Sequence, residues 1–225
     1  MTSAELDRCQ KSLTNYLESK RMVLSRFYFI SDEDLLQILG TSDPKAIQPH
    51  LLKLYDNCKE LTFGPGNKTI THMTSDEGEV YQFEVPVKPE GSIEDWMMRV
   101  DDEMKKTLHI MVKKAVFYYA KEDRVAWIFK QIGMVAVVGT QIWWTFCVED
   151  VFRKRQEGDK HAMKNELKKE TDELNTLIGL MRTDLEGKIR KCINTLIVLD
   201  VHARDIVGDF VRDSVMSAKE FAWEK

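Results

Sequence analysis

The chain has 225 residues, 43% hydrophobic and 31% charged, with a formal net charge of -4. That length buries a core as one large domain or two small ones, and the composition is that of a soluble globular protein. The mildly acidic balance gives no reason to expect nucleic acid or an anionic membrane surface, so the expected partner is protein.

Ser3 to Lys20 reads as an amphipathic helix packing by a stripe of Leu6, Cys9, Leu13 and Leu17. Arg26-Phe27-Tyr28-Phe29-Ile30 is a short aromatic run, suited to a buried extended strand or a connector. Ser31 stands at an N-cap position with Asp34 three residues on, predicting a short helix through Leu39 that Gly40 ends. Ser42-Asp43-Pro44 is a second start signal, with Pro49 interrupting or restarting the helix and Leu51, Leu52, Leu54 and Tyr55 forming its apolar face.

From Glu60 the punctuation changes. Leu61 and Phe63, then Ile70 to Met73, then Tyr81, Phe83 and Val85 are separated by Gly64-Pro65-Gly66-Asn67 and Asp76-Glu77-Gly78, which predicts two or three strands of an antiparallel meander. Gly64 to Thr69 superficially resembles a phosphate loop. It lacks the G-x-x-x-x-G-K-[ST] spacing, and a strand-like segment follows where a helix is required, so it reads as a hairpin turn.

Past the connector Pro86-Val87-Lys88-Pro89, Ser92 caps a helix whose face is Trp96, Val100, Met104, Leu108, Met111 and Ala115. Residues 113 to 123 either continue that helix or break before Trp127. Between Lys130 and Glu149 lie 18 residues without a charge, centred on Gly139-Thr140-Gln141-Ile142-Trp143-Trp144-Thr145. The run is marginally short and polar-interrupted for a membrane span. It reads as a helix buried on most sides, with a surface covered by a docked partner as the other soluble reading. After Gly158-Asp159, a charged helix carries Met163, Leu167, Leu174, Ile178, Met181 and Leu185 on one stripe and returns through Glu186-Gly187, as in an antiparallel bundle. A last helix from about Lys188 to Phe221 is apolar nearly all round at Cys192 to Val201, which predicts a deeply buried middle.

The expected fold is therefore mainly α, a multi-helix bundle with a small antiparallel β meander. Its parts are a helical subdomain over 1–59, the meander and connector over 60–91, and a long-helix bundle over 92–225.

Chemistry is sparse. Cys9, Cys58, Cys147 and Cys192 form no C-x-x-C pair and have no histidine at ligand spacing; with no signal peptide, this predicts a reducing intracellular compartment, buried thiols and no zinc. His50, His72, His109, His161 and His202 are isolated. His202-Ala203-Arg204-Asp205 is the most suggestive polar cluster; Asp200 and Arg204 form an i,i+4 pair, or His202 and Arg204 meet a neighbouring domain. No catalytic residue, cofactor site or metal signature emerges.

Several motifs together carry a resemblance: Cys9-Gln10-Lys11-Ser12-Leu13, Arg26-Phe27-Tyr28-Phe29-Ile30-Ser31, Gln48-Pro49-His50-Leu51, Glu94-Asp95-Trp96, Gly139 to Thr145, and Val201-His202-Ala203-Arg204-Asp205. In this order they resemble the C-terminal half of the linker region of dynein heavy chains, most closely those of axonemes, from near residue 9 to Trp223. The resemblance implies a mostly helical lever across a ring of six AAA modules, bending and straightening as ATP turns over in the ring and leading past Phe221-Ala222-Trp223 into the first module. It implies ATP and Mg in the ring and none in this segment, and microtubules and other dynein subunits as partners through the parent chain. Neither nucleic acid nor membrane is implied. The implied location is cytoplasmic, at the axoneme of a cilium or flagellum. The candidate interface residues are Arg26, Phe27, Tyr28, Gln141, Trp143, Trp144, His202, Arg204 and Asp205. Relatives commonly place a proline before the apolar helix where this chain has Ile132, so that helix is expected to begin earlier, near Arg124 or Trp127. A free-standing helical scaffold or adaptor is the alternative.

Overall fold

The computed structural model describes residues 3–215 and 217–224. It is predominantly helical with one three-stranded antiparallel sheet, in two compact units, Met1–His109 and Ile110–Lys225.

The first unit begins with α1 (Ser3–Val23), of which only Leu17 is buried. The predicted stripe does not pack along its length: Cys9 is exposed, as are Leu6 and Leu13, because only the C-terminal end of α1 meets other elements. The aromatic run is neither strand nor simple connector but a 3-10 helix, Ser25–Phe29. Two arginines hold it in that form. The Arg21 guanidinium donates to the carbonyls of Phe27 and Ile30 and pairs with Asp32 at 2.7 Å, while the Phe27 carbonyl also accepts from Ile30 N–H to close the turn. Arg26 lies 3.0 Å from Asp101, donates to the Leu54 carbonyl, and stacks 4.1 Å from the centre of the Tyr55 ring.

α2 (Asp32–Leu39) starts as predicted, with Ser31 Oγ accepting from Asp34 N–H at 3.1 Å and an acidic first turn that suits the helix dipole. The second start signal resolves onto Asp43, whose carboxylate caps a 3-10 helix, Pro44–His50; α3 (Leu51–Leu54) restarts after Pro49. Leu51, Leu54 and Tyr55 are buried, while Leu52 is exposed.

The meander is β1 (Glu60–Phe63), β2 (Ile70–Thr74) and β3 (Val80–Val87), in that order. The predicted connector residues Pro86 and Val87 belong to β3. Both sheet edges are closed by side chains. Gln48 brackets Leu61 of β1, accepting from its N–H at 3.1 Å and donating to its carbonyl at 2.7 Å. Opposite β2, the register breaks between Ile70 and His72, and β3 bulges there. The freed N–H groups of Glu84 and Val85 donate to Thr107 and Glu103 of α4 (Ile93–Tyr119). Such closure removes the pairing template that a bare edge presents. Pro86 fits the bulge, since it has no N–H to leave unmet.

α4 starts at Ser92, whose hydroxyl accepts from Asp95 N–H, and buries Trp96, Val100, Met104 and Ala115 on the predicted face. In the second unit it stops at Tyr119, and α5 (Arg124–Lys130) follows behind an Asp123 cap. The central helix does not begin early: α6 (Gly133–Gln156) is separate from α5, with Gln131 and Ile132 in extended backbone between them. Ile132 performs the cap without a proline because its carbonyl accepts from Val135 and Ala136 N–H and its side chain packs into the core.

α7 (Ala162–Leu180) buries Met163, Leu174 and Leu177; Ile178 points outward, one residue off the predicted stripe. Met181 and Leu185 pack from the turn beyond its end. α8 (Gly187–Asp213) packs along α7 and α6 but stops well before Phe221, because Ser214 takes the left-handed conformation (φ 57°). A short α9 (Phe221–Glu224) closes the described chain. The middle of α8 is not buried all round: Ile193 and Leu196 are, but Val198 is 63% exposed. α6 likewise leaves one apolar row outside, Val138, Ile142 and Phe146 at four-residue spacing. No helix among the described residues is long and apolar enough to cross a membrane.

Candidate functional site

The central motif on α6 divides among three surroundings, because successive residues of a helix point about 100° apart. Gly139 faces Trp127 of α5, which is fully buried and donates its indole N–H to the Ala115 carbonyl at 2.9 Å. A Cβ at position 139 would lie 2.9 Å from that ring, so glycine sets how closely α5 and α6 approach. Trp143 stacks on Tyr119 with ring centres 5.4 Å apart and donates to the Val116 carbonyl at 2.8 Å. Trp144 donates to Glu170 Oε1 of α7 at 2.9 Å, and its ring lies 5.5 Å from that of Trp223. Trp223 also meets Phe152 and Phe210, so the segment beyond α8 is seated on an aromatic cluster of α6 and α8. Gln141 is half-buried, and its carbonyl accepts from Thr145.

Between these helices lies a cavity of about 40 Å³ walled by Tyr119, Thr140, Trp143, Trp144, Cys147 and Ala203, with a ring of charge from Arg124, Glu166, Lys169, Glu170, Glu173 and Asp200. Arg124 joins α5 to α7 and α8, at 3.2 Å from Glu173 and 2.8 Å from Asp200. Burial opposes its charge, but the Asp200 hydrogen bond and the adjoining carboxylates outweigh that and hold it protonated. Lys169 pairs with Glu166 at 2.9 Å. Glu170 has no such ion pair among the described residues. Burial, reinforced by Glu166, pushes its carboxyl up to about 7 although the Trp144 indole favours the anion. Glu170 Oε2 and Thr140 Oγ1 find no hydrogen-bond partner among the described residues.

This geometry corrects the predicted Asp200–Arg204 pair. Asp200 pairs with Arg124 from another helix, and Arg204 turns to its exposed neighbour Asp205 at 2.6 Å. His202 is exposed, so of His202-Ala203-Arg204-Asp205 only Ala203 reaches the cavity wall. In the first unit, Arg26 is the partly buried tie already described, Phe27 is fully buried, and Tyr28 is exposed, donating its hydroxyl to Glu18. The thiols are not uniformly buried: Cys58 is, with burial pushing it up to about 12, whereas Cys147 and Cys192 are half-buried and Cys9 is exposed. Of the histidines, only His50 is buried, 3.6 Å from Asp34.

Gly64 to Thr69 forms the β1–β2 hairpin. Gly64 N–H donates to the Thr69 carbonyl at 2.8 Å and Asn67 N–H to the Gly64 carbonyl at 3.1 Å, so these amides serve the turn rather than a phosphate. No trio of His, Cys, Asp or Glu among the described residues converges as a metal site.

Reasoning from sequence missed Arg124, Glu170 and Glu173 as site residues and gave Asp200 the wrong partner, because these side chains meet only in three dimensions. One signal was available: Arg124 is the first residue of its helix, where the dipole disfavours a cation, so its charge must be used elsewhere.

Residues 2–115 match the family model described as dynein heavy chain, N-terminal region 2. The chain is 54% identical over 222 residues to the dynein-1-alpha heavy chain of the flagellar inner arm I1 complex of Chlamydomonas reinhardtii, and 46% identical over 226 residues to dynein axonemal heavy chain 10 of Homo sapiens. It is 39% identical to the ciliary dynein beta chain of Tripneustes gratilla. These matches cover 96 to 99% of this chain and 5% of each relative.

Proposed function

The chain belongs to the dynein heavy chains, of the axonemal type, and from that premise we propose that it is the C-terminal part of the linker, a lever that carries ATP-driven movement of the AAA ring. The observation that carries the reading is the cross-braced second unit. α5 is tied to α7 and α8 through Arg124, α6 to α7 through Trp144 and Glu170, and the final segment to α6 and α8 through Trp223. Dense aromatic packing resists local bending, which a force-transmitting member requires. A load entering through α9 reaches the bundle through Trp223.

On this reading the chain turns over no ATP; the nucleotide and its Mg are held by the ring, and the parent acts on microtubules in the axoneme of a cilium or flagellum. The exposed row Val138, Ile142 and Phe146, with Phe117 and Phe129, is the docking face toward the rest of the heavy chain. The 54% identity to an inner-arm chain, against 39% to a ciliary beta chain, supports an inner-arm parent.

The test places Trp223→Ala in the assembled parent motor and measures microtubule gliding and ATP turnover together. Gliding should slow several-fold while turnover persists. Unchanged gliding, or ATP turnover by this chain alone when correctly folded, would overturn the reading.

A further inference from the structure

We propose that the cavity between α5, α6, α7 and α8 is a binding site for a primary alkylammonium group, held by Glu170 Oε2 and Thr140 Oγ1 and enclosed by the rings of Trp143, Trp144 and Tyr119. This goes beyond the lever reading and does not depend on it.

The charge inventory comes first. Four carboxylates (Glu166, Glu170, Glu173 and Asp200) and two cations (Arg124 and Lys169) line the space. Both cations are committed, Arg124 to Glu173 and Asp200, and Lys169 to Glu166. Glu170 is the acid left over. Thr140 and Glu170 are 5% and 9% exposed, both line the same cavity, and each has one oxygen without a hydrogen-bond partner among the described residues. A buried carboxylate oxygen without a donor is costly, and a charged donor satisfies it best.

The walls then select the cation. Among the described residues no trio of His, Cys, Asp or Glu converges to hold a metal ion, and the other three carboxylates are already paired with Arg124 or Lys169. An ammonium head needs only two or three acceptors, and its methylene stem is compatible with indole and phenol rings, which also attract its charge. A guanidinium would bring five donors to two free acceptors, whereas an ammonium head brings three. Water would satisfy the same two oxygens but not the surplus charge.

Protonation is linked to occupancy, because a bound ammonium favours the Glu170 anion. The charged and titratable groups facing it are Tyr119 from α4, Arg124 from α5, Cys147 from α6, Glu166, Lys169 and Glu173 from α7, and Asp200 from α8. Burial moves Tyr119 up to about 12 and raises Cys147, so neither titrates near neutrality. Binding should weaken roughly tenfold from about pH 8 to about pH 6, as Glu170 takes up its proton.

The experiment titrates n-butylammonium chloride into the full nitrogen-labelled chain in phosphate buffer at about pH 8, following the Trp144 indole N–H resonance, assigned with Trp144→Phe, at constant ionic strength. The expected result is a saturable shift with millimolar affinity, weakened at least tenfold by Glu170→Gln and several-fold by Thr140→Val, whose isosteric side chain keeps the fold. n-Butanol lacks the charge and tetramethylammonium lacks the N–H donors, so neither should reproduce it. Nα-acetyl-lysinamide binding as well as butylammonium would identify a protein lysine as the source; its exclusion would identify a free amine. The absence of a saturable shift, equal shifts from butanol or tetramethylammonium, or full binding by Glu170→Gln would each overturn the proposal.

Discussion

Glu170→Gln should make the chain more stable, and increasingly so as pH rises. In the folded chain this carboxyl titrates near 7, against 4.5 for an unperturbed glutamate. Between those values the unfolded chain has already released a proton that the folded chain still holds. Stability therefore falls with rising pH across that window and levels off above about 7. The cause is burial first and Glu166 second. A shift of that size corresponds to roughly 3 kcal/mol once both states are ionised. Glutamine keeps an acceptor for the Trp144 indole and removes the charge. Urea unfolding of both chains at about pH 5, 6, 7 and 8, in amine-free phosphate buffer, isolates Glu170 together with its coupling to Glu166 and Glu173, because the titration of uncoupled groups cancels in the difference. The advantage of the variant should grow by about 2.5 kcal/mol over that range. A difference that stays flat with pH would refute the account of Glu170 as a buried, unpaired acid.

Arg124→Met should destabilise by about 3 kcal/mol, since it leaves Glu173 and Asp200 without their counterion, while Arg204→Ala should stay within about 0.5 kcal/mol of neutral in the same urea assay; the reverse order would restore the Asp200–Arg204 pair. Gly139→Ala places a methyl 2.9 Å from the immobile Trp127 ring, so despite better helix propensity a net loss of about 1 to 2 kcal/mol is expected; a gain in Tm would show that α5 and α6 are not in close contact there. Gln48→Ala removes both bonds to Leu61 and bares the β1 edge, costing about 1 to 2 kcal/mol and promoting self-association by sedimentation; a fully monomeric, equally stable variant would show that the edge needs no closure.

The parts of the fold legible in the sequence were those written in local chemistry. Ser31 and Ser92 cap the helices they were expected to cap, and Gly64 to Asn67 turn the hairpin they announce, with Gly66 and Asn67 both at positive φ. What failed was whatever depended on a distant partner. The run from Arg26 to Ile30 has the composition of a strand, but Arg21 donates to two of its carbonyls and the run closes as a 3-10 turn. Ile132 lacks the proline that would announce a helix start, yet the core contact of its side chain fixes that start as firmly. Ser214 breaks α8 by adopting a left-handed cap more typical of glycine or asparagine, which propensity alone does not predict.

The cavity was illegible for a related reason. Arg124, Glu173 and Asp200 are separated by 49 and 76 positions along the chain, and a charge spaced so widely carries no pattern. α6 made matters harder by being apolar on every side, which a reading of periodicity equates with burial on every side. Its three faces have different tasks. Gly139 fits a fixed ring, Trp144 donates to the carboxyl of Glu170 while Thr140 lines the same cavity, and Val138, Ile142 and Phe146 lie open. The uncharged stretch of α6 packs on one side, lines a polar cavity on another and leaves an apolar row exposed, so its all-round apolar pattern marks three different surroundings rather than one sealed core.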